Sequence, residues 1–394
     1  MRVAHIGFYH DPADRPPEML LEAWPTLVDV AESVAAAGAR VSVIQSSGHS
    51  RHIHKNGIDY HFLPLAGSRR QPSPGEALRD LLRTLDPQVL HVHGLGFPGQ
   101  VLLMAKAAPG IPVLLQDHAN RLPRWWRQGA FRRCARVIAG VAFCSRQQAQ
   151  PFIAAGIIGP DTAVYEIPES TSRFQPGSAA MARGEARVWG QPLLLWVGHL
   201  DANKDPLTVL EGVAQAIHTL PRLQLWCCFG KTKLLGRLRR RIRSDPQLEC
   251  RTHLLGQVSH AQVEQLMHAA DAFVSGSHHE GSGYALIEAL ACGLPPVVTD
   301  IPSFRALTGG GAVGRLWTPG DPASLCSALL ELTAPTDSYT RGAVRAHFER
   351  ELSSGAVGHK LVAAYEDLLA RPAPAPPAAS VDAVIDRPRA RVSG

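Results

Sequence analysis

The sequence predicts an α/β protein built as two doubly wound domains facing a central cleft. Three observations carry that expectation. Short apolar runs alternate with longer amphipathic ones, the pattern of helices packed on parallel strands. The pattern lapses near residue 170 and restarts at Leu193-Leu194-Leu195-Trp196-Val197. A length of 394 residues suits two domains at about 100–200 residues each.

In the first half, strands are expected at 2–8, 40–45, 58–63, 88–93, 112–117, 137–144 and 163–167. Helices fall between them, the clearest at 17–37 and 97–108, and Gly38 suits a helix C-cap before the next strand. Residues 1–170 make the first domain. Segment 171–191 is rich in small and turn-forming residues with weak periodicity, and is expected to be the interdomain linker. The second domain, 192–353, has strands at 193–197, 222–229, 250–255, 272–275, 295–298 and 312–317. Its helices are expected at 204–219, 231–243, 259–269, 283–291, 322–332 and 338–351. A helix at 354–370 is expected to return to the first domain. The Pro- and Ala-rich segment 371–394 is expected to be a disordered tail.

Composition removes several classes. With 45% hydrophobic and 19% charged residues the chain is globular. No apolar run reaches the roughly 18 residues of a membrane span; the run 101–116 is broken by Lys106, Pro109 and Pro112. Arg2 to Phe8 reads as a first strand rather than a secretory leader. Seven cysteines, with no C-x-x-C pair, argue for buried thiols in a reducing compartment and against a disulfide or zinc framework. The cytoplasm is the expected location.

One motif misleads. Gly309-Gly310-Gly311-Ala312-Val313-Gly314 matches the dinucleotide fingerprint G-x-G-x-x-G, but no strand precedes it and no helix follows. It reads as a turn into an extended segment. The adjacent His278 and His279 invite a metal reading, but neighbours on an extended segment point to opposite sides and no ligand set completes a site.

The chemistry concentrates at 272–300. A strand, Phe273-Val274-Ser275, ends in a polar loop, and Glu280-Gly281-Ser282-Gly283 leads into a helix carrying Glu288. Small residues at 281–283 leave backbone N–H groups open at a helix N-terminus, an anion site suited to phosphate. Carboxylates beside an anion site are useful where they accept hydrogen bonds from hydroxyls. Glu280 and Glu288 therefore suit a ligand that is part phosphate and part sugar.

Glu-x7-Glu within EGSGYALIEALACGLPPVV resembles the signature of retaining glycosyltransferases of the GT-B fold, family 4. The resemblance spans most of 1–370. Val197-Gly198-His199-Leu200-Asp201-Ala202-Asn203-Lys204 is similar to the family's G-[RK]-L-x-x-x-K loop. Leu255-Gly256-Gln257-Val258-Ser259 resembles the strand end that meets the nucleotide base, and Leu316 to Asp321 the stretch before a late helix.

The resemblance implies roles. Glu280 contacts donor-sugar hydroxyls, Glu288 the ribose hydroxyls, and Lys204 the diphosphate. Gly198, His199, Gly256, Gln257, Val258, Gly281, Ser282 and Gly283 complete the donor site. His118, at the polar tip of the strand Val113-Leu114-Leu115-Gln116-Asp117-His118, matches the histidine set against the donor sugar's outer hydroxyl. The catalytic set is then His118, Lys204 and Glu280. Neither a metal nor a cofactor is implied, the nucleotide diphosphate sugar being a co-substrate. The role of Lys204 also follows from chemistry: a departing nucleoside diphosphate gains charge, and a fixed cation stabilises that state preferentially. His91 and His93 are candidates for the acceptor side.

Three departures from the family pattern stand out. His199 replaces Arg or Lys, the first loop after Gly7 lacks the usual Gly-Gly, and Pro168-Glu169-Ser170-Thr171-Ser172 replaces P-N-G-V-D. Two other readings therefore stay open: a non-catalytic sugar-nucleotide-binding protein and a sugar-nucleotide epimerase, both on this scaffold.

The net charge of +6 is unevenly placed. Segment 121–136 holds six Arg and segment 231–243 seven Lys or Arg, both without acids; elsewhere acids outnumber bases. With Trp125 and Trp126, 121–136 suits peripheral contact with the inner face of a membrane, where a lipid-linked or carbohydrate acceptor would be met. For 231–243 a solvated helix face is the expectation. Nucleic acid is not an expected partner.

Overall fold

The computed structural model describes residues 1–65, 74–118, 121–332 and 340–371. The chain folds around two parallel sheets. In the first domain the order is β1 (Arg2–Gly7), α1 (Pro17–Ala23), α2 (Pro25–Ala36), β2 (Arg40–Ser46), β3 (Arg51–Lys55), β4 (Ile58–Leu63), α3 (Pro74–Leu85), β5 (Val89–His93), α4 (Pro98–Ala107), β6 (Val113–Gln116), α5 (Gln128–Ala135), β7 (Gly140–Phe143), α6 (Arg146–Ala154) and β8 (Ala163–Glu166). The second domain continues with α7 (Ala179–Ala186), β9 (Leu193–Gly198), α8 (Pro206–Ala216), β10 (Gln224–Phe229), α9 (Leu235–Arg243), α10 (Pro246–Glu249), β11 (Thr252–Gly256), α11 (His260–Ala269), β12 (Ala272–Ser275), α12 (Tyr284–Ala291), β13 (Pro296–Thr299), α13 (Pro302–Leu307), β14 (Arg315–Trp317), α14 (Pro322–Leu332) and α15 (Arg341–Glu351). The long α16 (Ser354–Ala370) closes the described chain.

The first sheet runs β3-β4-β2-β1-β5-β6-β7-β8, with only the edge pair β3–β4 antiparallel. The second runs β11-β10-β9-β12-β13-β14, all parallel. Each sheet is wound outward in both directions from its centre. The switch points fall between β1 and β5, and between β9 and β12. Crevices open there at the carboxyl ends of the strands, which is where ligands bind in such sheets. Each sheet is buried on both faces: Ile6, Val92 and Phe143 on one side of the first sheet, Val43, Leu114 and Ala142 on the other.

Several elements differ from expectation. The helix expected at 17–37 is two helices broken at Trp24, because Pro25 supplies no N–H and starts α2. β3, RHIHK, was not anticipated: its residues are half-buried or exposed, as suits a polar edge strand. The interdomain linker expected at 171–191 contains α7. Ser178 caps that helix and Ala182 buries it against the second domain's core, so this stretch is largely part of the second domain. The glycine-rich 309–314 is a turn between α13 and β14. Its four glycines all have positive φ, and a Cβ on Gly314 would lie 2.2 Å from the Pro296 carbonyl oxygen.

α16 packs on α2 of the first domain. The two helices approach so closely that a Cβ on Gly358 would lie 2.1 Å from the Ser33 carbonyl oxygen, and Ser33 Oγ meets Ser354 Oγ at 2.7 Å. The tail expected beyond Arg371 lies outside the described residues.

Candidate active site

Two loops at the second switch point build the core of the site. The first, 199–205, leaves β9; the second, 276–283, leaves β12. They are stitched together. The His278 N–H donates to the Asn203 carbonyl at 2.8 Å, and the Asn203 side chain donates to the His279 carbonyl at 2.9 Å. His278 Nε2 lies 3.0 Å from Asp205 Oδ2. Asp201 Oδ1 accepts the N–H groups of Asn203 and Lys204, each at 3.0 Å. Gly276 allows this closeness: a Cβ there would sit 2.8 Å from Val209 and 3.0 Å from the Asp205 carbonyl oxygen.

Held this way, Lys204 Nζ forms an ion pair with Glu280 Oε1. Both line a cavity of about 340 Å³ together with Gly198, His199, Gln257, Val258, Tyr284 and Glu288. Glu280 and Glu288 are mostly buried, at 13% and 18% exposure. Gly256, at φ +75°, ends β11 beside Gln257. Gly281 and Ser282 lie in the loop, and Gly283, at φ +84°, is the N-cap of α12. The first N–H groups of that helix have no intrahelical acceptor, as at any helix start.

His199 is not a substitute cation. Burial and the nearby Lys231 and Lys204 lower its pKa, and its Nδ1 accepts the Lys231 N–H at 3.4 Å. Glu288 Oε1 lies 2.6 Å from His260 Nε2, and this pairing raises the His260 pKa.

The first domain contributes a second cavity of about 540 Å³ at its own switch point. Gly7, Gln45, His93 and His118 line it from the strand ends, Tyr9, Trp24 and Phe97 supply aromatic surface, and Glu169 completes it. His118 Nδ1 lies 3.1 Å from Glu169 Oε2, and His118 Nε2 lies 3.2 Å from His93 Nδ1. His91 lies deeper and is fully buried, so it does not line this cavity as the acceptor-side expectation required. Burial drives His118 down to about 4. Burial, with Asp117 and Glu280 nearby, pushes Glu169 up to about 8. Each thereby favours its neutral form.

Hydrogen bonds tie the loop that carries Glu280 to the first domain. Gln148 of α6 donates to the carbonyls of Glu280 at 2.8 Å and Gly281 at 3.0 Å, while its amide oxygen caps its own helix. The Glu169 N–H donates to Ser282 Oγ at 3.1 Å. Gln148, His260 and Asp205 carry no expectation from the sequence, and Glu169 stands out there only as part of a departure from the family pattern. Of the first three, only Asp205 left a signal, as an acid directly before Pro206 at a helix start.

The expected surface features also have places. Trp125 and Trp126 are 79% and 58% exposed and meet edge-on at 5.7 Å, with the Arg124 guanidinium 5.2 Å over the Trp126 ring. α9 is amphipathic, burying Leu238 and Ile242 beneath exposed arginines. All seven cysteines are free, and five are buried. No helix among the described residues is long and apolar enough to cross a membrane.

Comparison with known proteins follows the same division. Residues 191–334 match the family model "Glycosyl transferases group 1", and residues 25–156 match "Glycosyltransferase Family 4". The chain is 27% identical over 276 residues to GDP-mannose:cellobiosyl-diphosphopolyprenol alpha-mannosyltransferase of Xanthomonas campestris, covering 68% of this chain and 70% of that protein. It is 29% identical over 282 residues to phosphatidyl-myo-inositol mannosyltransferase of Mycobacterium leprae, covering 68% and 71%. Sucrose-phosphate synthase of Thermosynechococcus elongatus superposes with a TM-score of 0.65 at 18% identity, covering 94% of this chain and 99% of that one. Anabaena HepE in complex with UDP superposes with a TM-score of 0.66 at 17% identity, covering 93% and 100%.

Proposed function

The chain belongs to glycosyltransferase family 4 and has the GT-B fold, and from that premise we propose that it moves a sugar, with retention of anomeric configuration and without a metal ion, from a nucleoside diphosphate to a hydroxyl of a lipid-linked glycan. One observation carries the reading: Lys204, Glu280 and Glu288 line a single cavity beside the N-terminus of α12.

Each group then has a task. Glu288 accepts hydrogen bonds from the ribose hydroxyls. The N–H groups at the start of α12 and the Lys204 ammonium take the diphosphate, supplying the positive charge a metal would otherwise bring. Glu280 accepts from sugar hydroxyls while holding Lys204 in place. His118, across the cleft, takes the sugar's outer hydroxyl.

The bond between the anomeric carbon and the phosphate oxygen breaks with its electron pair passing to the phosphate. Lys204 stabilises that charge. The acceptor oxygen then bonds the anomeric carbon on the face the phosphate leaves, and its proton goes to the departing phosphate oxygen. Contact between the two domains keeps water from the same carbon.

The 540 Å³ cavity with Tyr9, Trp24 and Phe97 is offered as the acceptor site, since aromatic faces suit sugar rings. Relatives whose names specify diphosphopolyprenol and phosphatidyl-inositol acceptors support a lipid-linked one. The exposed Trp125 and Trp126 with their arginines would then rest on an anionic membrane surface, at the cytoplasmic face.

Incubation with UDP-, GDP- and ADP-sugars and lipid-linked acceptors tests this. Expected are release of nucleoside diphosphate, a product of unchanged anomeric configuration by NMR, and activity insensitive to EDTA. An inverted product, or activity abolished by EDTA and restored by a divalent ion, would overturn the corresponding part. A new nucleotide sugar with its diphosphate link intact would instead mean epimerisation.

A further inference from the structure

Behind His118 lies a row of polar rings that the transfer chemistry does not use. β1 and β5 pair in a register that sets His5 opposite His91. His93, two residues on, shares that face of the sheet. Tyr365 reaches the same face from α16. His118 Nε2 lies 3.2 Å from His93 Nδ1; His93 Nε2 lies 3.4 Å from His5 Nδ1; His5 Nε2 lies 3.2 Å from the Tyr365 hydroxyl; and that hydroxyl lies 2.7 Å from His91 Nδ1. His5, His91 and Tyr365 are no more than 1% exposed. Leucine or phenylalanine would fill this core without the cost of burying so many polar atoms. What the row adds is direction. A neutral imidazole donates through one nitrogen and accepts through the other, so rings bonded in series must all run the same way.

We propose that His93, His5 and Tyr365 are positioning residues for His118, fixing the plane of its ring and which of its nitrogens carries the hydrogen. The proposal rests on His118 meeting the donor sugar. A charged imidazole has two donors and would interrupt the series. Burial prevents this, lowering His5 to about 3 and His91 and His93 well below their ordinary value. The other end of the row is Glu169, in the cleft, whose charge is opposed by Asp117 and Glu280. The C-terminal helix, whose Tyr365 lies 360 residues from His5, is thereby coupled to the sugar-facing end of the cleft.

His5, His91 and His93 also offer nitrogens within 4.8 Å of one another, close enough to suggest a metal. Five of their six nitrogens, however, already lie within 3.4 Å of a partner in the row. The row is therefore the better account.

Three measurements on the full chain decide it. Tyr365→Phe removes one oxygen and keeps the ring, so the fold should persist. With 15N-labelled histidine, this variant should shift the His118 ring-nitrogen resonances, and kcat should fall about five- to ten-fold with donor KM little changed. His93→Gln, whose amide both donates and accepts, should keep more kcat than His93→Leu. Unchanged His118 resonances in Tyr365→Phe, or stoichiometric zinc in the purified protein that His5→Gln removes, would overturn the proposal. Full activity in His118→Gln, with the resonance shift still seen, would leave the row standing and reject only the role of His118 at the sugar.

Discussion

Lys204 Nζ and Glu280 Oε1 are ion-paired in the lining of the 340 Å³ cavity, so the cation proposed for the diphosphate and the carboxylate proposed for the sugar hold each other in place. Neither is expected to behave as an independent side chain. Lys204→Met should lower kcat by about 10²–10³, the usual effect of removing a preorganised stabiliser of developing charge. It also strands a mostly buried carboxylate, at a cost of about 1–3 kcal/mol. Adding Glu280→Gln should return most of that stability and none of the activity. Stability recovered together with activity would contradict the assignment.

Glu288 and His260 make a separable test, because Glu288 is the residue proposed for the ribose hydroxyls and is paired with His260 rather than with Lys204. Glu288→Gln should weaken nucleoside diphosphate binding about ten-fold, as measured by calorimetry, through one lost charge-assisted hydrogen bond. It should also release His260. That ring's pKa is raised by Glu288, so the pair's contribution is present below pH 6.5 and lost as pH rises through the raised value. In the variant, an NMR titration of His260 should fall back toward the ordinary histidine value.

His5 and His91, which are buried, and His93 and His118, which are half-buried, should set the acid limit of stability. His5, His91, His93 and His118 all have lowered pKa values in the folded chain, so between pH 6.5 and about 4 the unfolded chain binds protons that the folded chain refuses. Stability should therefore fall as pH drops through this window, by up to about 1.4 kcal/mol per pH unit for each ring. Glu169 acts oppositely. Raised from 4.5 to about 8, it keeps its proton when folded, and its contribution declines as pH rises between those values. Denaturant melts across pH should show an optimum near pH 6.5. Glu169→Gln should flatten the alkaline side and leave the acid side steep.

Docking of α16 onto α2 depends on Gly358. Its added Cβ would meet backbone, which cannot rotate away, and Gly358→Val should cost about 1–3 kcal/mol or more. Tyr365 rides on the same helix, so kcat should fall with it. Gly355, on the exposed side of the same helix, has only Ser353 Oγ at 4.0 Å from a built Cβ. Gly355→Ala should be neutral or stabilising by up to about 1 kcal/mol. Thermal melts of both variants check the contrast.

Much of the architecture was legible because it is written in short-range pattern. The strands at 58–63 and 272–275 and the helices at 322–332 and 354–370 lie where apolar spacing puts them, since each buries a face its own residues define. Elements with little to bury were not legible. β3 is a polar edge, and α7 buries only Ala182. In the site, the loop residues Lys204 and Glu280 and the helical Glu288 stood out by spacing and by the small residues around them.

By itself the sequence determined that two α/β domains form, where the second restarts, and which loop and helix carry Glu280 and Glu288. Only the tertiary structure decided that Lys204 is held by Glu280, that Gln148 from the other domain grips the Glu280 loop, and that His118 backs onto a row that reaches Tyr365. The reason is physical. Periodicity and composition report what a residue needs from its neighbours along the chain. A hydrogen bond across 132 or 360 residues depends on how sheets and helices finally pack, and no local pattern encodes that partner.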